Sequence, residues 1–130
     1  MRGRNFRVQC AAALVVVTLA PVISGNVSEI AVLFLCTALV LCLELINTTL
    51  EEVCDALVQD RSPHIKYIKD VAAGAVLVMA LFSAAILAVL LVADGRWRTL
   101  FEWIAAHPWY GVLLGFEALL LVPAFIGGRK

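Results

Sequence analysis

Four apolar runs, each close to the length that crosses a bilayer, constrain this chain more than any other feature. The first runs from about Val8 to Ile23 and stops at "SGN". The second runs from about Ile30 to Ile46, with a helical pattern that carries on through Val58. The third covers roughly Val71 to Ala93 and the fourth roughly Trp109 to Ile126. A helix rises ~1.5 Å per residue and a hydrocarbon core is about 30 Å thick, so runs of this length suit membrane spans. Lipid cannot satisfy exposed backbone N–H and C=O groups, so the runs are predicted to be helices and the chain an all-α integral membrane protein. With 63% hydrophobic and 15% charged residues, the composition excludes an ordinary soluble domain. A formal net charge of zero offers no basic surface for nucleic acid.

The opening "MRGRNFRVQCAAALVVV" sets Arg residues before an apolar core, as a signal peptide does. Further apolar spans follow it, however, and the expectation is a retained first span. Cys10, Cys36, Cys42 and Cys54 show no CxxC spacing and lie in or beside apolar runs, where they read as small hydrophobes. Ser62-Pro63 predicts a helix start, a hydroxyl cap followed by proline where a missing N–H is harmless. With a cytoplasmic N-terminus, Arg2, Arg4, Arg7, Arg61, Lys66, Lys69, Arg129 and Lys130 all lie inside, leaving Arg96 and Arg98 outside.

The stretch "LELINTTLEEVCDALVQD" crosses the edge of the second run. At ~100° per residue, Glu44, Asn47, Glu51 and Asp55 fall near 0°, 300°, 340° and 20°, forming one stripe. Thr48 lies close to it, and Glu52 falls further round toward solvent. A carboxylate just inside an apolar run is expensive unless it faces a wet cavity, a cation or a partner. Carboxylates with an amide among them make a hard-oxygen set of the kind magnesium accepts beside substrate phosphates. Lys69 and Asp70 open the third run at the same membrane edge, and a lysine there suits phosphate neutralisation. The bland reading, ordinary polar helix ends, stays open at this point. There is no GxxxxGK[ST] and no GxGxxG after a strand, so any ATP handled here is held without a phosphate loop.

"ELINTTLEEVCD" followed by "KDVAAGAVLVMA" resembles the small integral-membrane prokaryotic diacylglycerol kinase family, which includes the undecaprenol kinases. The family pattern is approximately E-x-x-N-[ST]-x-x-E-x-x-x-D, then K-D about fourteen residues on, then a small-residue run. Glu44, Asn47, Thr48, Glu51, Asp55, Lys69 and Asp70 match it in register, and "NFRVQCAAALVV" is similar to the family's first-span entry. The resemblance implies a homotrimer of three-span protomers in the bacterial inner membrane, with active sites facing the cytoplasm. ATP and Mg2+ are implied as cosubstrate and cofactor, and a lipid alcohol as acceptor. Glu44 would be the base or hydroxyl-orienting acid, Glu51 the principal metal ligand, Asn47 and Asp55 nucleotide-site and supporting polar groups, and Lys69 the phosphate contact with Asp70 beside it. "AAGAV" looks more like the undecaprenol branch than the diacylglycerol branch.

Two departures stand out. Family members carry an N-terminal surface helix ending in a Glu metal ligand, and the matching position here is Gly3; the expectation is a start downstream of the true one. A shell completed by water, Glu52 or a neighbouring subunit, and an inactive paralogue, are the other readings. Residues 1–93 form the kinase-like unit and residues 94–130 an extension, with an interfacial helix over Leu100 to Ala106 and a fourth span. Trp97, Trp103, Trp109 and Tyr110 read as interfacial aromatics, and His64 and His107 as solvated interfacial groups. Gly111 and Gly115 form a GxxxG that permits close helix contact. Glu117, near mid-bilayer, should face protein or a cavity. A small transport subunit using Glu44 and Glu117 is the reading from a different class.

Overall fold

The computed structural model describes residues 4–57 and 62–126, with side chains described over 6–57 and 62–120. Arg2, Gly3, Val58, Arg61, Arg129 and Lys130, and the side chain of Arg4, lie outside the described residues. The described chain is helical: α1 (Arg4–Ile23), α2 (Val27–Leu57), α3 (Pro63–Val92), a short 3-10 turn (Ala93–Gly95), α4 (Arg96–Ala106) and α5 (Pro108–Ile126). Three helical stretches, Phe6–Ile23, Val27–Leu57 and Pro63–Ala106, contain windows long and apolar enough to cross a membrane, and the described side chains of α5 form a shorter apolar helix. At ~1.5 Å per residue the 19 residues of α5 reach about 28 Å, just under a hydrocarbon core. Its sequence range matches the fourth run.

Helix boundaries follow local chemistry. Asn26 Oδ1 accepts the Glu29 backbone N–H at 3.0 Å while the Glu29 carboxylate reaches back to the Gly25 N–H at 2.7 Å, a reciprocal cap that starts α2. Ser62 Oγ accepts the His64 N–H at 3.3 Å with Pro63 at the first helical position, as the sequence predicts for α3. Pro21 sits inside the last turn of α1, where the lost N–H disturbs only the bond to Val17 O. The turn into α4 takes Asp94 and Gly95 to φ of 54° and 68°, the left-handed region that glycine enters freely and aspartate tolerates.

α2 packs between α1 and α3, and α5 packs along α1. The core, Ala20, Ile23 and Leu33 with Val16, Ile30, Leu87, Leu90 and Leu100 around it, lies where α1 ends, α2 begins and α4 crosses over them. A single guanidinium ties that end together. Arg96 donates to the Glu29 carboxylate and to Ile23 O, binding the last turn of α1 to the first turn of α2. The opposite end, where α2 stops and α3 starts, carries the polar stripe. At 31 and 30 residues, α2 and α3 are each about 45 Å long, so roughly 15 Å of each extends beyond an apolar core.

α5 is fixed to α1 by polar contacts between the two helices. Glu117 is buried, and its Oε1 accepts the Thr18 hydroxyl at 2.8 Å, so it faces protein as its position in the run demands. Tyr110 is buried, with its hydroxyl donating to Thr18 O. A buried tyrosine hydroxyl needs a hydrogen-bond partner, and the Thr18 carbonyl supplies it. His107 is half-buried and stacked on Trp103, ring centroids 4.1 Å apart. Of the GxxxG pair, a Cβ on Gly111 would meet Ile104 of α4 at 3.1 Å, whereas one on Gly115 would meet nothing within 4 Å. The close approach is therefore between α4 and the start of α5, not along the whole motif.

Candidate functional site

The inward face of α2 repeats every three or four residues: Leu33, Cys36, Val40, Glu44, Asn47 and Cys54 are buried. A helix that buries this face must bury the acids that share it. Glu44 and Asn47 are each 3% exposed, deeper than helix-end polar groups need to be, and Glu51 one turn further is half-buried. Leu50 and Val53, off the stripe, face outward. Thr48 and Glu52 are half-buried, and Glu52 has an interaction of its own.

Contacts along the stripe are local and electrostatic. Asn47 Nδ2 donates to Glu51 Oε1 at 3.3 Å, while Asn47 Oδ1 is buried with no hydrogen-bond partner among the described residues. Glu51 lies within electrostatic reach of Glu44 on one side and of Lys69 on the other. Lys69 Nζ pairs with Asp55 across the gap between α2 and α3, so the two helix ends meet through opposite charges. Asp70 and Lys66 point outward and are exposed. Glu44, Asn47, Glu51, Asp55 and Lys69 thus come together at one end of the bundle, and Asp70 stands beside the group.

Among the described residues, no three His, Cys, Asp or Glu side chains gather into a ready-made metal cage. The donors present still fit a small hard cation: an unpartnered buried amide oxygen at Asn47 beside the Glu51 carboxylate. Magnesium keeps several waters and binds through one or two carboxylates plus phosphate oxygens, so a partial protein shell is what it uses. All four cysteines are free, and Cys36 and Cys54 are buried in the apolar face, in keeping with a packing role.

Some residues that shape the interior carry no polar signal in the sequence. Ala12, Ala13, Ala80 and Ala84 line a cavity between α1, α2 and α3, next to the stripe. For Ala12, Ala13 and Ala84 the signal is the run of small residues in "CAAA" and "SAA", which is frequent by chance in membrane helices, and Ala80 has none.

Residues 1–91 match the family described as prokaryotic diacylglycerol kinase. A diacylglycerol kinase of Synechocystis sp. is 43% identical over 79 residues, covering 60% of this chain and 45% of that protein. An undecaprenol kinase of Bacillus subtilis is 36% identical over 83 residues, covering 64% of this chain and 68% of that protein. The chain therefore matches less than half the length of the first relative and about two thirds of the second. No solved structure matches. Residues 92–130 lie beyond the family match.

Proposed function

This chain belongs to the prokaryotic diacylglycerol kinase family, and from that premise we propose that it is an ATP-dependent membrane lipid kinase that phosphorylates a lipid alcohol. The observation that carries the reading is the burial of Glu44 and Asn47 on one stripe with Glu51, beside the Lys69–Asp55 pair. Buried acids, a lysine and an apolar bundle interior meet at one place, as a reaction between a water-soluble nucleotide and a membrane lipid requires.

Each residue's part follows from its depth. Glu44, deepest of the acids, receives the proton of the lipid hydroxyl as the hydroxyl oxygen attacks the γ-phosphorus. The bond from that phosphorus to the β,γ-bridging oxygen breaks, and ADP leaves with the electron pair. Glu51 and Asn47 would hold magnesium, which when bound neutralises charge on the ATP phosphates. Lys69 offsets phosphate charge, exchanging part of its pairing with Asp55 for a phosphate oxygen. Asp55 keeps Lys69 aimed at the site, and Asp70 lies at the nucleotide side of it. Residues 1–93 make the kinase unit, acting as a homotrimer in the bacterial inner membrane with this end in the cytoplasm, and residues 94–130 are an addition to it.

The acceptor we favour is undecaprenol over diacylglycerol. Support comes from the small-residue run "AAGAV" after Lys69-Asp70, which leaves α3 slim where it enters the membrane. The test is transfer from labelled ATP, with magnesium, by membranes holding the 130-residue chain, with undecaprenol and diacylglycerol offered separately. Labelled undecaprenyl phosphate in excess of phosphatidic acid is the expected result. Absence of transfer to either lipid from folded protein contradicts the kinase reading and leaves an inactive paralogue or a transport subunit.

A further inference from the structure

Between α1, α2 and α3 lies a cavity of about 240 Å³. Its wall is built of small side chains, Ala12 and Ala13 on α1 with Ala80 and Ala84 on α3, facing Cys36 and Val40 on α2. The two hydroxyls along it are turned onto their own helices: Thr37 Oγ1 donates to Leu33 O at 2.7 Å and Ser83 Oγ to Met79 O at 2.8 Å. Gln9 is left as the polar side chain facing the cavity. Buried water needs two to four polar partners, while an apolar cavity of ~150 Å³ stays dry and takes up benzene. Scaled from that six-carbon guest, about 240 Å³ accommodates roughly ten carbons.

Position decides what those carbons belong to. Val40, on the cavity wall, is one turn from Glu44 along the same buried face. Leu33, at the far end, is eleven residues from Glu44, about 16 Å along the helix. The antiparallel course of α1 puts Gln9 at the Glu44 end and Val16 at the Leu33 end. The apolar space is thus the inward continuation of the acid stripe. We infer that this cavity receives the first ten or so carbons of the acceptor's hydrocarbon chain, holding its hydroxyl at Glu44, and that its alanine wall selects among chains by their width. The inference rests on the kinase reading for the identity of the acceptor. A branched polyprenol and a straight acyl chain share the chemistry, and the small wall leaves lateral room that methyl branches need.

The test needs no turnover. The full chain in membranes, with magnesium and no ATP, is photolabelled with a polyprenol and with a diacylglycerol, each bearing a diazirine within ten carbons of its hydroxyl. Label is expected on the peptides carrying Ala12–Val16 and Ala80–Leu87, competed by the matching unlabelled lipid, and the probe that gives it names the chain class. Ala13→Leu, and separately the milder Ala84→Val, should lower that label about tenfold, the scale of a methylene mismatch in an apolar pocket. Label on the outward-facing Leu77 and Val78, outside that peptide, should stay unchanged in both variants. Label confined to those outward residues, or cavity label that neither competitor nor variant reduces, overturns the inference. Competed cavity label in a chain that transfers no phosphate would keep the lipid site and remove the kinase reading.

Discussion

Replacing Thr18 with valine removes the donor to Glu117 while preserving shape, and the structure sets what that should do. Glu117 is 3% exposed, and its Oε2 already lacks a partner among the described residues. Thr18→Val leaves Oε1 unsatisfied as well, a loss of about 1–3 kcal/mol in a buried setting. Side-chain hydrogen bonds within membranes average nearer 0.6 kcal/mol and reach about 1.7, so roughly 1–2 kcal/mol is the expected destabilisation. Tyr110 is unaffected, because its hydroxyl donates to the Thr18 backbone carbonyl rather than to the side chain. Glu117→Leu should be close to neutral, since it removes the orphaned oxygen together with the bonded one. In the Thr18→Val, Glu117→Leu double variant the valine should then cost little, giving a coupling of about 1 kcal/mol or more. Reversible denaturant unfolding in bicelles measures all four corners of the cycle. Additive single effects would refute the claim that α5 is held to α1 through this carboxylate.

Other expectations follow from the same contacts. Glu51→Gln should abolish magnesium-dependent transfer while circular dichroism and membrane insertion stay unchanged, because Glu51 lies on a half-buried, polar helix end. Retention of near-normal turnover would remove it as a metal ligand. Leu50→Ile and Val53→Ile should leave activity within about twofold, since both side chains face away from the stripe, and a large loss would show that the stripe is misassigned. Gly115→Ala should be neutral or stabilising by about 0.5–1 kcal/mol, the usual gain for alanine inside a helix, because the added methyl meets open space. Gly111→Ala should lack that gain, since its methyl presses on Ile104; equal effects in thermal unfolding would contradict this packing.

Periodicity made much of this fold legible. Apolar length gave the helices, Ser62-Pro63 gave the start of α3, and the 100° advance put Glu44, Asn47 and Glu51 on the face that proves to be buried. Glu117 was legible as inward-facing because a carboxylate in mid-bilayer has few other places to go. What periodicity does not carry is the choice of partner between helices. Nothing local to Arg96 says that it reaches Glu29, 67 residues away, or that its turn begins α4 four residues before the apolar stretch at Leu100. Nor does anything local to Tyr110 say that its hydroxyl meets the Thr18 carbonyl, 92 residues away. Asp55 fell on the stripe by angle, yet its exposure and its pairing with Lys69 depend on how α3 returns beside α2. The alanine-lined cavity was silent for a related reason: small residues announce room only once the neighbouring helices are placed.

If the deepest acid of the stripe takes the proton from a lipid hydroxyl, Glu44→Gln removes the base and leaves the rest of the stripe in place. Turnover is measured at saturating lipid and magnesium, over a range of ATP concentrations, in membranes holding the full chain. The expected result is a fall in kcat of about 100-fold or more, the range of general-base catalysis, with the KM for ATP little changed. A variant that turns over within a few-fold of the parent chain, or one that loses ATP affinity in place of turnover, would contradict it.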